Sequence, residues 1–213
     1  MKLSLKLLES DTEIQQKILQ ELKNHMTKVF NAAIPKISRE LKNIVKQAIQ
    51  QQPEYQALIS GDLKYQLGID SSTKIDNIVN IWSNNLVVES SPVTLTSSSL
   101  KGGISFSMIQ QDYSDVLSST YASITDKNTG SVVPWLYWLL LGGGGILVEN
   151  YEIKIGPNPR SRSGNAIMVS SSKNWRMPAD YVGLADNNWV YRAIGSLDSE
   201  IENMIQKKLE QSI

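Results

Sequence analysis

An α+β fold is predicted from three observations. Apolar residues recur at helical spacing at both ends of the chain, alternation of period two occurs only between them, and no internal repeat is visible. The expected arrangement is a central, mostly antiparallel sheet flanked by N-terminal helices and a long C-terminal helix. A single domain over residues 1–213 is expected: a helical segment 1–50, a helix/strand core 51–193 with loop 156–165, and a C-terminal helix 194–213.

Met1–Leu8 (MKLSLKLL) reaches Glu9 and Asp11 too soon for a secretory apolar region and reads as a strand or helix entry. Ser10 followed by Glu13 forms a capping box, and Ile14, Ile18, Leu22, Met26 and Val29 share one helical face. His25 lies one residue off that stripe and reads as a partly exposed helix residue. Pro35 suits the first turn of a second helix with Ile37, Leu41, Ile44, Val45 and Ala48 as its stripe. Pro53 opens a short helix that Gly61 can close, and Leu63–Leu67 repeats the pattern with Gly68 as its stop. Ile75, Ile78, Val79 and Trp82 define another amphipathic helix.

From Leu86 the period changes. Leu86–Glu89 and Ile104–Met108 read as strands joined by a Ser/Thr-rich loop holding Gly102 and Gly103. Tyr113 with Val116–Leu117 reads as a short helix or turn, and Tyr121–Thr125 as a further strand. Trp135–Leu141 reads as a short buried helix ending in a flexible glycine run. Tyr151–Ile155 alternates, Gly156–Asn165 is a polar loop, and Ala166–Val169 reads as a buried strand. Ile194, Leu197, Ile201, Ile205 and Leu209 form one stripe of a closing helix.

Composition removes many chemistries. The chain has no Cys, which excludes disulfide frameworks, Cys-ligated zinc and Cys nucleophiles. A single His excludes multi-His metal sites. No catalytic, cofactor-binding or metal-binding residue is therefore assigned. The 21 basic and 21 acidic residues cancel, which argues against a generic nucleic-acid coat. The balance is uneven, however: nine Lys/Arg face five Asp/Glu in residues 1–50, four face nine in 51–150, and eight face seven in 151–213. Such asymmetry suits polar surfaces that meet a partner.

No charge occurs between Lys127 and Glu149, so Val132–Val148 has the length of a membrane span. Pro134 and the glycines 142–145 divide it, and no Lys/Arg cluster flanks it to orient insertion. A membrane-active amphipathic protein using residues 132–148 is the competing expectation. The glycines lack the Lys and hydroxyl residue of a phosphate loop. Asp112 with Asp115, or Asp180 with Asp186, defines a third class, a hydrolase with paired carboxylates, although turns commonly contain Asp.

Arg160 and Arg162 lie in the polar loop, with Arg176 close behind. Arg matches carboxylates on a neighbouring copy as well as it matches phosphate. Of the tryptophans, Trp135 and Trp138 read as core, whereas Trp175 and Trp189, beside polar turns, read as interface residues.

Four motifs then follow one another in order: Val133–Leu140 (VPWLYWLL), Ser161–Met168 (SRSGNAIM), Trp175–Pro178 (WRMP) and Asp186–Ile194 (DNNWVYRAI). Together with Pro53–Gly68 (PEYQALISGDLKYQLG), this order resembles the tail-completion and head–tail joining (neck) proteins of tailed bacteriophages. Met177, Tyr191 and the length of the glycine run depart from the pattern. The resemblance implies a sheet between an N-terminal and a C-terminal helix. It also implies a virion ring, commonly hexameric, at the junction of capsid and tail, as neck, tail-completion or tail-terminator protein. Catalysis and cofactors are not implied. Implied partners are copies of the chain, adjacent neck, tail-tube or sheath proteins, and genomic DNA in the lumen. On that view Arg160, Arg162, Arg176 and Arg192 are candidates for intersubunit ion pairs, Arg192 alternatively for a pair inside the subunit, with Trp175 and Trp189 beside them.

Overall fold

A computed structural model describes residues 10–96, 99–107, 112–125 and 130–213. Met1–Leu8 and Met108 therefore lie outside the described residues. Helices are α1 (Asp11–Gln50), α2 (Pro53–Ile59), α3 (Asp62–Gln66), α4 (Thr73–Asn84), α5 (Ser114–Leu117), α6 (Trp135–Leu140), α7 (Trp189–Gly195) and α8 (Asp198–Glu210). Strands are β1 (Val87–Leu95), β2 (Leu100–Ser107), β3 (Ile124–Thr125), β4 (Val132–Val133), β5 (Ile146–Val148), β6 (Tyr151–Ile155), β7 (Ala166–Ser170) and β8 (Trp175–Arg176). The α+β class stands. The strands, however, form four two-stranded antiparallel sheets, β1–β2, β3–β4, β5–β8 and β6–β7, instead of one central sheet. Strands of two or three residues offer too few ladder bonds to recruit a third neighbour.

The chain divides into two compact units. The first comprises α1 up to Glu40, the β1–β2 ribbon and the chain from Glu202. Its helix opens as the capping box requires: Ser10 N–H donates to Glu13 Oε2 at 2.8 Å and Glu13 N–H to Ser10 Oγ at 3.3 Å. Those bonds hold the Glu13 carboxyl below the ordinary glutamate range. The depressed value means that the cap contributes above the unfolded-state value and is lost as pH falls through the folded one. In an NMR titration of the Glu13 carboxyl, Ser10→Ala is expected to return the midpoint to the ordinary glutamate range. An unshifted wild-type midpoint would contradict the cap.

Pro35 does not start a second helix; α1 runs unbroken for 40 residues through it. An interior proline costs about 3 kcal/mol, but Val29, Ala33, Ile37, Leu41 and Val45 form one continuous buried stripe across it. Burial at about 25 cal/mol per Å2 over several side chains outweighs that cost. In the same unit Lys36 Nζ reaches Ser212 Oγ at 3.4 Å and Lys208 Nζ reaches Glu40 Oε2 at 3.7 Å.

The ribbon is longer than its alternating segments suggest, and Gly102 and Gly103 belong to β2, not to a loop. A Cβ on Gly102 would stand 3.1 Å from Phe30 Cε2 and 3.3 Å from Val93 Cγ2, so glycine permits the ribbon's close approach to α1. Pro92 sits where the register shifts between Ser91 and Thr94, a bulge that tolerates a missing donor.

The second unit comprises Leu41–Leu86 and residues 108–201. Ile75, Ile78, Val79 and Trp82 of α4 are fully buried at the predicted spacing. Lys46 of α1 donates to Asn80 Oδ1 at 2.9 Å, beside that core. Gly68 does stop α3: at φ +70 it closes a Schellman turn, Gly68 N–H to Tyr65 O at 3.1 Å and Ile69 N–H to Lys64 O at 2.9 Å. The β6–β7 hairpin spans Tyr151–Ile155 and Ala166–Ser170, with Ile153 opposite Met168. β7 is not a buried strand: only Ala166 is buried, and Met168 is exposed.

The closing helix is divided. α7 ends at Gly195 and α8 starts at Asp198, with Leu197 N–H bonded to Ile194 O across the turn. Gly195 weakens helical continuation, and Asp198 and Glu200 favour a new N-terminus. Ile194, Leu197 and Ile201 keep apolar spacing through that turn, which is why the break is invisible in the pattern.

Candidate interaction site

The second unit carries a cavity of about 310 Å3 beside Gly68 and the β6–β7 hairpin. Trp138 and Trp175 meet edge to face at its wall, centroids 6.1 Å apart at 69°. Met168, Val148 and Ile153 add apolar surface. The polar groups are few. Arg162 lies over Gly68, its Nη1 3.5 Å from where a Cβ of residue 68 would stand. Gln66 Oε1 is enclosed with no donor. Ser161 Oγ accepts from Ala166 N–H at 3.2 Å and lies 3.2 Å from Ser163 Oγ, which fixes the loop that carries Arg162. The lining among the described residues is mainly apolar, with Tyr65, Gln66, Ser161, Arg162 and Ser163 as its polar side chains.

The arginines expected at an interface separate into three environments. Arg162 belongs to the cavity. Arg160 on the same loop and Arg176 on β8 are exposed, and neither has a carboxylate partner among the described residues. Arg192 is paired inside the chain: its Nη2 donates to Glu54 Oε1, and its Nη1 to Asn187 Oδ1 at 3.1 Å. Glu54 is 1% exposed, and its Oε2 has no partner. Arg192→Met therefore leaves a buried carboxylate uncompensated. Because the guanidinium is 41% exposed, the expected loss is about 1–3 kcal/mol, below that of a fully buried pair. Adding Glu54→Gln should recover part of it in urea denaturation; equal losses in both variants would deny the pair this role.

Trp175 lines the cavity, as an interface residue could, but Trp189 does not reach the surface. It is 1% exposed and packs on Trp82 with centroids 5.5 Å apart at 77°. Trp135, in contrast, is core as expected, its Nε1 donating to Tyr121 O at 3.0 Å. Trp138 lies half-buried at the cavity wall.

Below Trp189, the buried Asn188 caps α7 by accepting from Val190 and Tyr191 N–H at 3.1 and 3.0 Å. Its Nδ2 donates to Tyr113 OH at 2.7 Å and Leu184 O at 2.9 Å. Burial pushes the Tyr113 hydroxyl above the ordinary tyrosine range. An Asn directly before an apolar helical stripe is a legible cap signal. Gln66 carries no comparable signal, because the enclosure of its Oε1 is a tertiary property.

The carboxylate pairs behave as turn residues. Asp112 accepts from Ser114 N–H at 3.1 Å and is held below the usual carboxylate range, the opposite of a poised acid. Asp115 accepts from Asn85 Nδ2 at 2.7 Å. Asp180 and Asp186 are exposed. Among the described residues no three His, Asp or Glu converge as metal ligands. The apolar run folds inward: Trp135, Leu136, Leu139 and Leu140 of α6 are fully buried. Among the described residues no helix is long and apolar enough to cross a membrane. Comparison of the chain with protein-family models, curated proteins and solved structures finds no match in any of the three.

Proposed function

We propose that the chain is a structural subunit of a tailed-phage particle, forming a homo-oligomeric ring at the head–tail junction that joins tail to capsid. The observation that carries this reading is the β1–β2 ribbon. Its strands, nine and eight residues long, pair only with each other among the described residues. Val87 and Phe106 lie exposed on it, and charge is sparse, with only Glu89 and Lys101. A two-stranded ribbon is marginal alone, and a sparsely charged open edge is a template for pairing with another chain. Contact with copies of the same chain uses that edge and hides its apolar residues. A head-to-tail contact repeated between identical subunits closes into a ring where its rotation divides the full turn.

The station at the phage neck rests on the ordered motifs from Val133 to Ile194. Neighbouring neck, tail-tube or sheath proteins, and DNA in the ring's lumen, are the partners of this reading. Native mass spectrometry of the purified full-length chain tests it. A discrete closed oligomer, lost when Phe106→Lys and Val87→Lys are combined, is the expected outcome. A monomer at all concentrations would overturn it.

A further inference from the structure

We propose that residues 2–7 of one copy add as a third strand to the open edge of β2 in the next copy, which rests on the ring reading above. The two edges of the ribbon are not equivalent. β1 carries Pro92, which has no N–H to give, and its register shifts between Ser91 and Thr94. β2 runs from Leu100 to Ser107 without a proline and is exposed over most of its length. Its edge is the one able to continue a ladder.

The faces of β2 state what a third strand must look like. Gly102 faces α1, since a Cβ there would meet Phe30, so Ile104 and Phe106, two and four residues on, share that side. Ser105 and Ser107 lie on the other side, and Glu89 joins them because it stands opposite Ser105 in the register. The added strand must be apolar on one face and polar on the other, with a cation for Glu89. Residues 2–7 read Lys-Leu-Ser-Leu-Lys-Leu, which places Leu3, Leu5 and Leu7 on one face of a strand and Lys2, Ser4 and Lys6 on the other. Main-chain hydrogen bonds supply affinity, and the match of the leucines to Ile104 and Phe106 fixes the face.

The segment lies outside the described residues, but its attachment point does not. It joins α1 at Ser10, whose N–H and Oγ both donate to Glu13 Oε2, at 2.8 and 2.9 Å. Within the first unit the ribbon lies beside later turns of α1: Leu95 and Thr96 at its tip border Glu13, Gln16 and Gln20, and Gly102 lies against Phe30. To reach β2 of its own copy the segment would have to reverse direction before Ser10. Residues 1–10 contain no Gly, Pro, Asn or Asp to build that turn. Continued outward, six extended residues span about 20 Å, enough to lie along most of β2 in a neighbour. Segment and edge are different surfaces of one chain, so the contact is heterologous and generates a ring where the rotation closes.

The test uses the full-length chain. Leu5→Pro, which removes a ladder donor, and the pair Leu3→Lys with Leu5→Lys, which charges the apolar face, should each weaken self-association at least tenfold in sedimentation velocity, with helical circular dichroism unchanged. A photo-crosslinking residue at position 5, in a mixture of isotopically heavy and light chains, should capture the β2 peptide of the other copy. Unchanged association in both variants would overturn the strand addition while leaving the ring in place. So would capture of any other segment, or capture within the same copy. A wild-type chain that stays monomeric would overturn both.

Discussion

Trp189→Ala lowers the unfolding free energy by about 3–5 kcal/mol, the cost of emptying a fully buried indole site. The loss has two sources: the large apolar area of Trp189 itself, and the edge-to-face contact that holds Trp82 of α4 against α7. Neither indole N–H has a hydrogen-bond partner. Trp189→Phe is therefore expected to cost about 1 kcal/mol or less, since a smaller ring is partly compensated by losing a buried, unpaired donor. Urea denaturation of the three proteins gives the comparison. The contrast with Trp175→Ala is diagnostic: it should leave the midpoint nearly unchanged and weaken self-association. Equal destabilisation at the two sites would contradict the assignment of one to the core and the other to the cavity wall.

Gly183→Ala is expected to be comparably severe, about 3–5 kcal/mol, well beyond ordinary overpacking. The added Cβ would stand 1.8 Å from Leu139 O and 2.5 Å from Leu139 C, with Asn188 Cβ at 2.9 Å on another side. Two of these are backbone atoms, so no rotamer relieves the overlap. Either α6 or the loop to Asn188 must move, and the movement takes the α7 cap with it. Gly144→Ala is the matching control. Nothing lies within 4 Å of its Cβ position and its backbone is not left-handed, so a change within about 0.5 kcal/mol is expected. Thermal unfolding of both variants decides the point, and a mild effect at Gly183 would mean that the α6 contact is looser than described.

These cases show which features were legible in the chain. Local rules worked where partners are close in sequence. The Ser10–Glu13 box, the Gly68 stop and the Tyr151–Ile155 strand follow from spacing alone. Local rules failed where a distant partner decides. Pro35 reads as a helix start until the buried stripe on both sides of it is known. Gly102 reads as a loop residue until Phe30 is found against it. Trp189 reads as an interface residue because a polar turn precedes it, yet that turn is the cap that drives it inward. Of the four consecutive glycines, which read together as a flexible run, Gly143 holds φ +60 and a Cβ on Gly142 would stand 2.9 Å from Trp138 Cα. Half of that run is thus a fitted turn.

The candidate site was half legible. Arg162 and Trp175 stood out by type and setting, and the cavity contains both. Trp138 reads as core from its place in the apolar run, and nothing in the sequence marks Gln66. A glutamine becomes informative only when its oxygen is enclosed without a donor, and no periodicity encodes that.

The most direct measurement is the copy number of this chain in purified phage particles, by quantitative mass spectrometry against the capsid and tail-tube proteins. A fixed, small complement equal to one ring per particle is the predicted result. Absence from mature particles, or a variable amount that follows no ring stoichiometry, would contradict a structural role at the head–tail junction.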